Sequence, residues 1–271
     1  MMGEVEWANL KAHELRRLAE QDAVVLLPVA ALEQHGPHLP VQVDTRLAGE
    51  ISKRTAKRAS ADVPTITLPV VWHGLSEHHM VFGGTITVDY DTFHQVLRGI
   101  VGSVVRHGFK KILIVNGHGG NHVACQMSAQ QLHLEFGVPV LALTYWHEAA
   151  SRFAPLLEDQ TGLQHACEAE TSMMMALVPH LVDSENLAAA KGGEGGSFLQ
   201  KGEAAFRWHN LAHVTANGTI GDPTKASAEK GERLLDAGAE ALAELITNPD
   251  TWAPAKDLRP AETGGVAFRK A

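Results

Sequence analysis

Residues 24–44 read Val24-Val25-Leu26-Leu27-Pro28-Val29-Ala30-Ala31-Leu32-Glu33-Gln34-His35-Gly36-Pro37-His38-Leu39-Pro40-Val41-Gln42-Val43-Asp44. A short apolar run gives way almost at once to a polar stretch of carboxylates and imidazoles. Runs of this length, apolar on both faces and rich in β-branched residues, read as buried strands of a parallel sheet. Ile66 to Val71, Ile112 to Val115 and Val138 to Leu143 repeat the pattern. Between and after them, Thr45 to Ala59, Thr92 to His107, Asn121 to Phe136 and Lys225 to Ile246 carry apolar residues at helical spacing. The clearest places Phe93, Val96, Leu97, Ile100, Val101, Val104 and Val105 along one side and stops at Gly108. Strands alternating with helices predict an α/β fold with a mostly parallel central sheet. Such sheets gather their sites at the carboxyl ends of the strands. Here the polar segments 33–44, 72–84 and 116–121 each follow a strand directly.

The bulk numbers narrow the class. The chain has 271 residues, 45% apolar and 20% charged, the balance of an ordinary globular protein. With no internal repeat and no linker, one domain over 1–271 is expected, with the tail from about 249 lying on its surface. A formal charge of −8 argues against a nucleic-acid partner. Met1 to Leu18 mixes charged residues into its apolar ones and lacks a signal peptide's apolar region. No run approaches the roughly 20 apolar residues of a membrane span. A cytoplasmic protein with no membrane partner is the expectation. Cys125 and Cys167 sit in no CxxC pairing, so neither a disulfide framework nor a thiolate zinc site is indicated. Lys191 to Gly202, with five glycines, reads as a lid or a connector. Sixteen histidines invite a search for metal ligands or proton carriers.

Three constellations reward that search. In an extended segment Glu33 and His35, two apart, point the same way, and the turn at Gly36-Pro37 lets Asp44 return toward them. Carboxylate and imidazole together suit zinc, manganese or iron; the plainer alternative is a solvated loop. Val115-Asn116-Gly117-His118-Gly119-Gly120-Asn121 surrounds one histidine with glycines that permit close backbone approach to an ion or ligand. The P-loop and dinucleotide fingerprints are both absent, and Asn121 is expected to cap the next helix. His165-Ala166-Cys167-Glu168-Ala169-Glu170-Thr171-Ser172 leads into a helix, with Glu170 able to project into a pocket, although carboxylates also decorate ordinary first turns. Cys167 reads as a packed residue rather than a nucleophile.

Together these motifs resemble the creatininase, or creatinine amidohydrolase, family. The match runs from about Val25 to Leu235 through LPVAALEQHGPHLPVQVDT, GLSEHHMVFGGT, VNGHGGN, HACEAETS and GDPTKASAEKG. The resemblance implies a three-layer α/β/α fold, usually a homohexamer, and a dinuclear centre that hydrolyses the C–N bonds of small or cyclic amides. Carried over by motif, Glu33, His35, Asp44 and His118 are metal ligands with Asp44 bridging, and His165 is the catalytic histidine. Zn2+ is the first choice of metal, with Mn2+ or Fe2+ as alternatives. Two departures matter. Creatininase proper has a glutamate ligand where this chain has Gly120, so Glu170, or failing it Glu168, is expected to supply that carboxylate. It also has a tryptophan where this chain has Thr161, which makes creatinine a poor substrate; Trp146, Gly119 and Gly120 are the remaining substrate-contact candidates. Deformylation, peptide cleavage, cyclic-ketone C–C hydrolysis and non-catalytic metal binding are the alternative activities.

Overall fold

Every residue of Val24–Val29 (β1) is buried, as a continuous apolar run requires of a strand covered on both faces. In the computed structural model, which describes residues 3–193 and 208–267, β1 is central. It pairs in parallel with Thr65–Thr67 (β2) on one side and Lys111–Asn116 (β3) on the other, and Val140–Thr144 (β4) pairs with β3. The order is β2-β1-β3-β4. The apolar run 66–71 yields only a short strand, because Pro69 has no N–H to give the ladder; beyond it a single bridge joins Val29 to Val71.

The helices of nine or more residues are α1 (Ala12–Glu20), α2 (Val43–Ala59), α3 (Tyr90–Arg106), α4 (His122–Phe136), α5 (Glu168–Leu177) and α6 (Ala228–Thr247). Alternation along the strands sorts the core into two clusters. Val24 and Leu26, with Leu113 and Val115 of β3, pack with Leu47 and Ile51 of α2, Met173 and Met174 of α5, and Leu234 and Leu242 of α6. Val25, Leu27 and Val29, with Ile112 and Ile114, pack with Phe93, Leu97 and Val101 of α3 and Cys125 and Leu132 of α4. The result is the expected three-layer α/β/α arrangement.

Local chemistry sets the ends of these helices. Asp89 and Ser227 accept hydrogen bonds from the backbone N–H groups of Thr92 and Lys230, capping α3 and α6. Gly137, left-handed at φ +66°, closes α4. Helix α2 starts at Val43 rather than Thr45, so Asp44 stands in its first turn. Asn121 does not cap α4 as expected. Its side chain bridges two loops instead, accepting from Leu75 N and donating to Ala30 O.

From β1 the chain leaves through α2 toward β2; from β3 it leaves through α4 toward β4, on the opposite face. The crevice where those connections diverge, outside the carboxyl ends of β1 and β3, is the place a parallel sheet leaves open for a ligand. Among the described residues no helix is long and apolar enough to cross a membrane. Most of the glycine-rich stretch read as a lid or connector lies outside the described residues.

Candidate metal centre

Five side chains converge at that crevice. Glu33 and His35 come from the extended segment after β1, Asp44 from the first turn of α2, His118 from the residues after β3 and Glu170 from the first turn of α5. None is more than 4% exposed. His35 Nε2 lies 3.1 Å from Asp44 Oδ1 and 3.6 Å from Glu170 Oε2. His118 Nδ1 lies 3.1 Å from both Asp44 Oδ2 and Glu33 Oε2. The two oxygens of Asp44 thus face different imidazoles. The cluster divides into a His35/Glu170 set and a His118/Glu33 set that share Asp44.

The remaining nitrogen of each imidazole is already committed. His35 Nδ1 donates to Glu33 O at 3.0 Å. His118 Nε2 faces Leu75 O at 3.1 Å and Ser76 Oγ at 3.2 Å. Both rings therefore turn their other nitrogen toward the carboxylates, the way outer hydrogen bonds orient metal-binding histidines. Glu33 Oε2, Asp44 Oδ2 and His35 Nε2 are buried without a well-formed hydrogen bond among the described residues, despite their close N···O approaches. Donor atoms that are near one another but not aimed at a shared hydrogen fit a cation between them.

The electrostatics agree. Burial pushes Glu170 up to about 8 and raises Glu33 as well. Asp44, against the same burial, is held far below the usual carboxylate range by His35 and His118. Burial also opposes charge on His35, yet Asp44 and Glu170 lift it to about 9. Glu33 and Glu170 are thus pushed toward their protonated forms while Asp44 stays ionised between two imidazoles, and divalent cations would take the place of the protons that limit the repulsion.

Gln34, His79 and His165 pack around these five side chains. Gln34 Oε1 accepts from Gly36 N, and its amide hydrogens go to His79 Nδ1 at 2.9 Å and Gly218 O at 3.3 Å. Both amide hydrogens are thereby used, so His165 Nε2, 2.8 Å from Gln34 O, is the donor there. His165 is left with a bare Nδ1, 3.7 Å from Glu33 Oε1. Burial and the neighbouring His35 hold it well below its ordinary value, so the ring is neutral. His79, with Nδ1 accepting, turns Nε2–H toward Glu33 Oε1 at 3.4 Å.

Each expected residue now has a place. Glu170 reaches the centre. Glu168 does not: it accepts from Glu158 N and Asp159 N and pairs with Lys230. Gly119 and Gly120 form a single 3-10 turn with Asn121. A Cβ on Gly120 would fall 2.4 Å from His118 Nε2, so no glutamate fits there without rearrangement. Trp146 packs at the edge of the core against Tyr145, ring centroids 5.0 Å apart. The residues that the sequence reading left without a role are Gln34, His78 and His79. The His-His pair in GLSEHHMVFGGT was the available signal, and no spacing rule tied it to the other motifs.

The comparisons with known proteins fit this geometry. The profile of the creatininase family, described as creatinine amidohydrolase, matches residues 8–246, and the chain belongs to that family. A mycofactocin precursor peptide peptidase of Mycobacterium ulcerans is 29% identical over 86% of this chain and 87% of its own. A creatinine amidohydrolase of Pseudomonas putida is 28% identical over 90% and 95%. A solved creatininase variant of Zn–Zn type superposes with a TM-score of 0.76 at 27% identity, covering 93% of this chain and 100% of that one. A manganese form gives 0.74 at 26%, with the same coverage. The chain is therefore a hydrolase of the creatininase family.

His79 turns Nε2 toward Glu33 Oε1 at 3.4 Å, so His79→Ala is expected to weaken metal affinity about 10- to 100-fold without changing the number of ions bound at saturation. Competition with a chromophoric chelator measures this. An unchanged affinity would show that Glu33 is held in place by other groups.

Proposed function

We propose that this chain is a metal-dependent hydrolase that cleaves a C–N bond of a small amide or cyclic amide, using two divalent ions held by Glu33, His35, Asp44, His118 and Glu170. The observation that carries the reading is the division of these residues around the two oxygens of Asp44. Ions so bound would lower the pKa of a coordinated water from about 15.7 toward about 7 and would polarise a carbonyl. Imidazole and carboxylate donors favour Zn2+, with Mn2+ or Fe2+ tolerated.

The chain's own groups supply the rest. Neutral His165, its tautomer fixed by Gln34 O, turns Nδ1 toward Glu33 and takes up the proton released as water attacks. It then gives that proton to the departing nitrogen, which must leave as an amine. The sequence expectation had His165 as donor alone; its bare nitrogen makes accepting the first step. The backbone N–H groups of Gly119 and Gly120 are the candidate partners for the substrate oxygen. A Cβ on Gly119 would meet nothing within 4 Å, so space lies beside that turn.

The reading extends to a single domain over 1–271 with a peripheral tail from about 249, in a cytoplasmic homo-oligomer, a hexamer by family resemblance. Exposed Trp72, Met80, Val81 and Ile86, all in the segment that carries His79, support burial of this rim in an assembly. A second reading, peptide-bond hydrolysis, is supported by the likeness to the mycofactocin precursor peptide peptidase. The attacking water and the leaving nitrogen are the same in both.

A panel of amides, lactams, formamides, short peptides and cyclic ketones tests this. Hydrolysis is expected for an amide-containing class, lost on chelation and restored by Zn2+ or Mn2+. A metal-loaded protein inert across the whole panel would instead be a binding protein. His165→Ala is expected to lower turnover by about 10²- to 10⁴-fold with metal content intact. Loss of metal in that variant would make His165 a ligand and overturn its role as proton carrier.

A further inference from the structure

We propose that His78 is a further metal ligand, closing the coordination of the ion on the Glu33/His118 side of the centre. The inference rests on the metal-centre reading above and extends it to a residue that neither the motifs nor the family resemblance assigned.

His78 lies in the 3-10 segment Glu77–Phe82 and is only 9% exposed. Its nitrogens make no hydrogen bond to any described residue, whereas His35, His38, His79, His118 and His165 all do. One donor atom of His78 lies within 4.8 Å of donor atoms of both Glu33 and His118, the spacing of groups around a shared ion. Its ring runs nearly parallel to that of His118, with centroids 5.6 Å apart and planes 17° apart.

The surroundings are built to hold it there. Leu75 N donates to Asn121 Oδ1 and Ser76 N to Thr87 Oγ1, and Ser76 Oγ meets His118 Nε2, so the segment leading to His78 is tied to the loop that carries His118. Gly120 leaves the room: a Cβ there would come within 2.9 Å of His78 Cε1 and 2.2 Å of Leu75 O. The glycine that removes a side chain from the loop is thus the same one that admits the imidazole.

Counting donors gives the consequence. His118, Glu33 and Asp44 Oδ2 offer three, and His78 makes the four of a closed tetrahedral zinc site. On the other side His35, Glu170 and Asp44 Oδ1 offer three and keep a position open, as catalytic zinc sites do. The two ions are therefore unequal, one retained tightly and the other exchanging with solvent and substrate.

The test uses the full-length protein loaded with Zn2+ or with Co2+, whose visible absorption is strong when four-coordinate and weak at higher coordination. The wild type is expected to release its two ions in two separated steps to a competing chelator. His78→Gln is expected to release the retained ion at least about tenfold more readily and to lose the intense Co2+ band. His78→Glu, which restores a donor, is expected to regain tight retention, a rescue that a packing role would not give. Thermal melting of the metal-free variants checks that the fold is kept. Wild-type retention and an unchanged Co2+ spectrum in His78→Gln would overturn the assignment of His78 alone. A wild type that binds no ion would overturn the metal-centre reading along with it.

Discussion

Three carboxylates, Glu33, Asp44 and Glu170, are buried side by side, and their repulsion in a dry site has to be cancelled by positive charge. Two imidazoles do part of this, since the carboxylates hold a proton on each ring and each turns one nitrogen inward toward a different oxygen of Asp44. Divalent cations would do it more completely. A buried cluster of this kind costs stability. Its retention is explained by chemistry rather than by folding.

The fold serves that cluster by bringing together residues far apart in sequence. Adjacent parallel strands β1 and β3 end at the same level, in a register that pairs Val29 with Asn116, so the Glu33/His35 segment and His118 start from neighbouring positions. Asp44 and Glu170 then enter from the first turns of two helices packed on the same face of the sheet. The glutamine between Glu33 and His35 acts as a hub: its carbonyl fixes His165, its amide fixes His79, and its side-chain oxygen holds the turn at Gly36. Ala166, next to His165, adopts a left-handed φ of +52°, and its N–H reaches the Glu170 carboxylate. Left-handed backbone at a non-glycine residue clusters at functional sites, as it does beside this one.

The architecture was readable from the alternation of apolar runs and helical spacing because those patterns record which faces are buried. Glu33, His35, Asp44 and His118 were readable because spacing and flanking glycines carry local geometry, and motif resemblance linked them. The choice between Glu168 and Glu170 was not, since both stand in one helical turn; only the fold shows Glu168 turned to Lys230 and Glu170 to His35. Gln34, His78 and His79 lay beyond sequence reasoning for the same cause. Their roles depend on contacts across tens of residues that no local period encodes. Asn121 misled because its identity suits a helix cap, while tertiary contacts to Ala30 and Leu75 claimed its side chain.

The central claim is that Asp44 is the shared ligand of two ions. Counting metal ions per chain by elemental analysis, in the purified wild type and in Asp44→Asn after identical repletion and desalting, tests it most directly. The account predicts two ions in the wild type and loss of at least one in the variant, since an amide gives up the charge and one of the two anionic oxygens. Two ions retained by Asp44→Asn, or a wild type that never holds more than one, would contradict it.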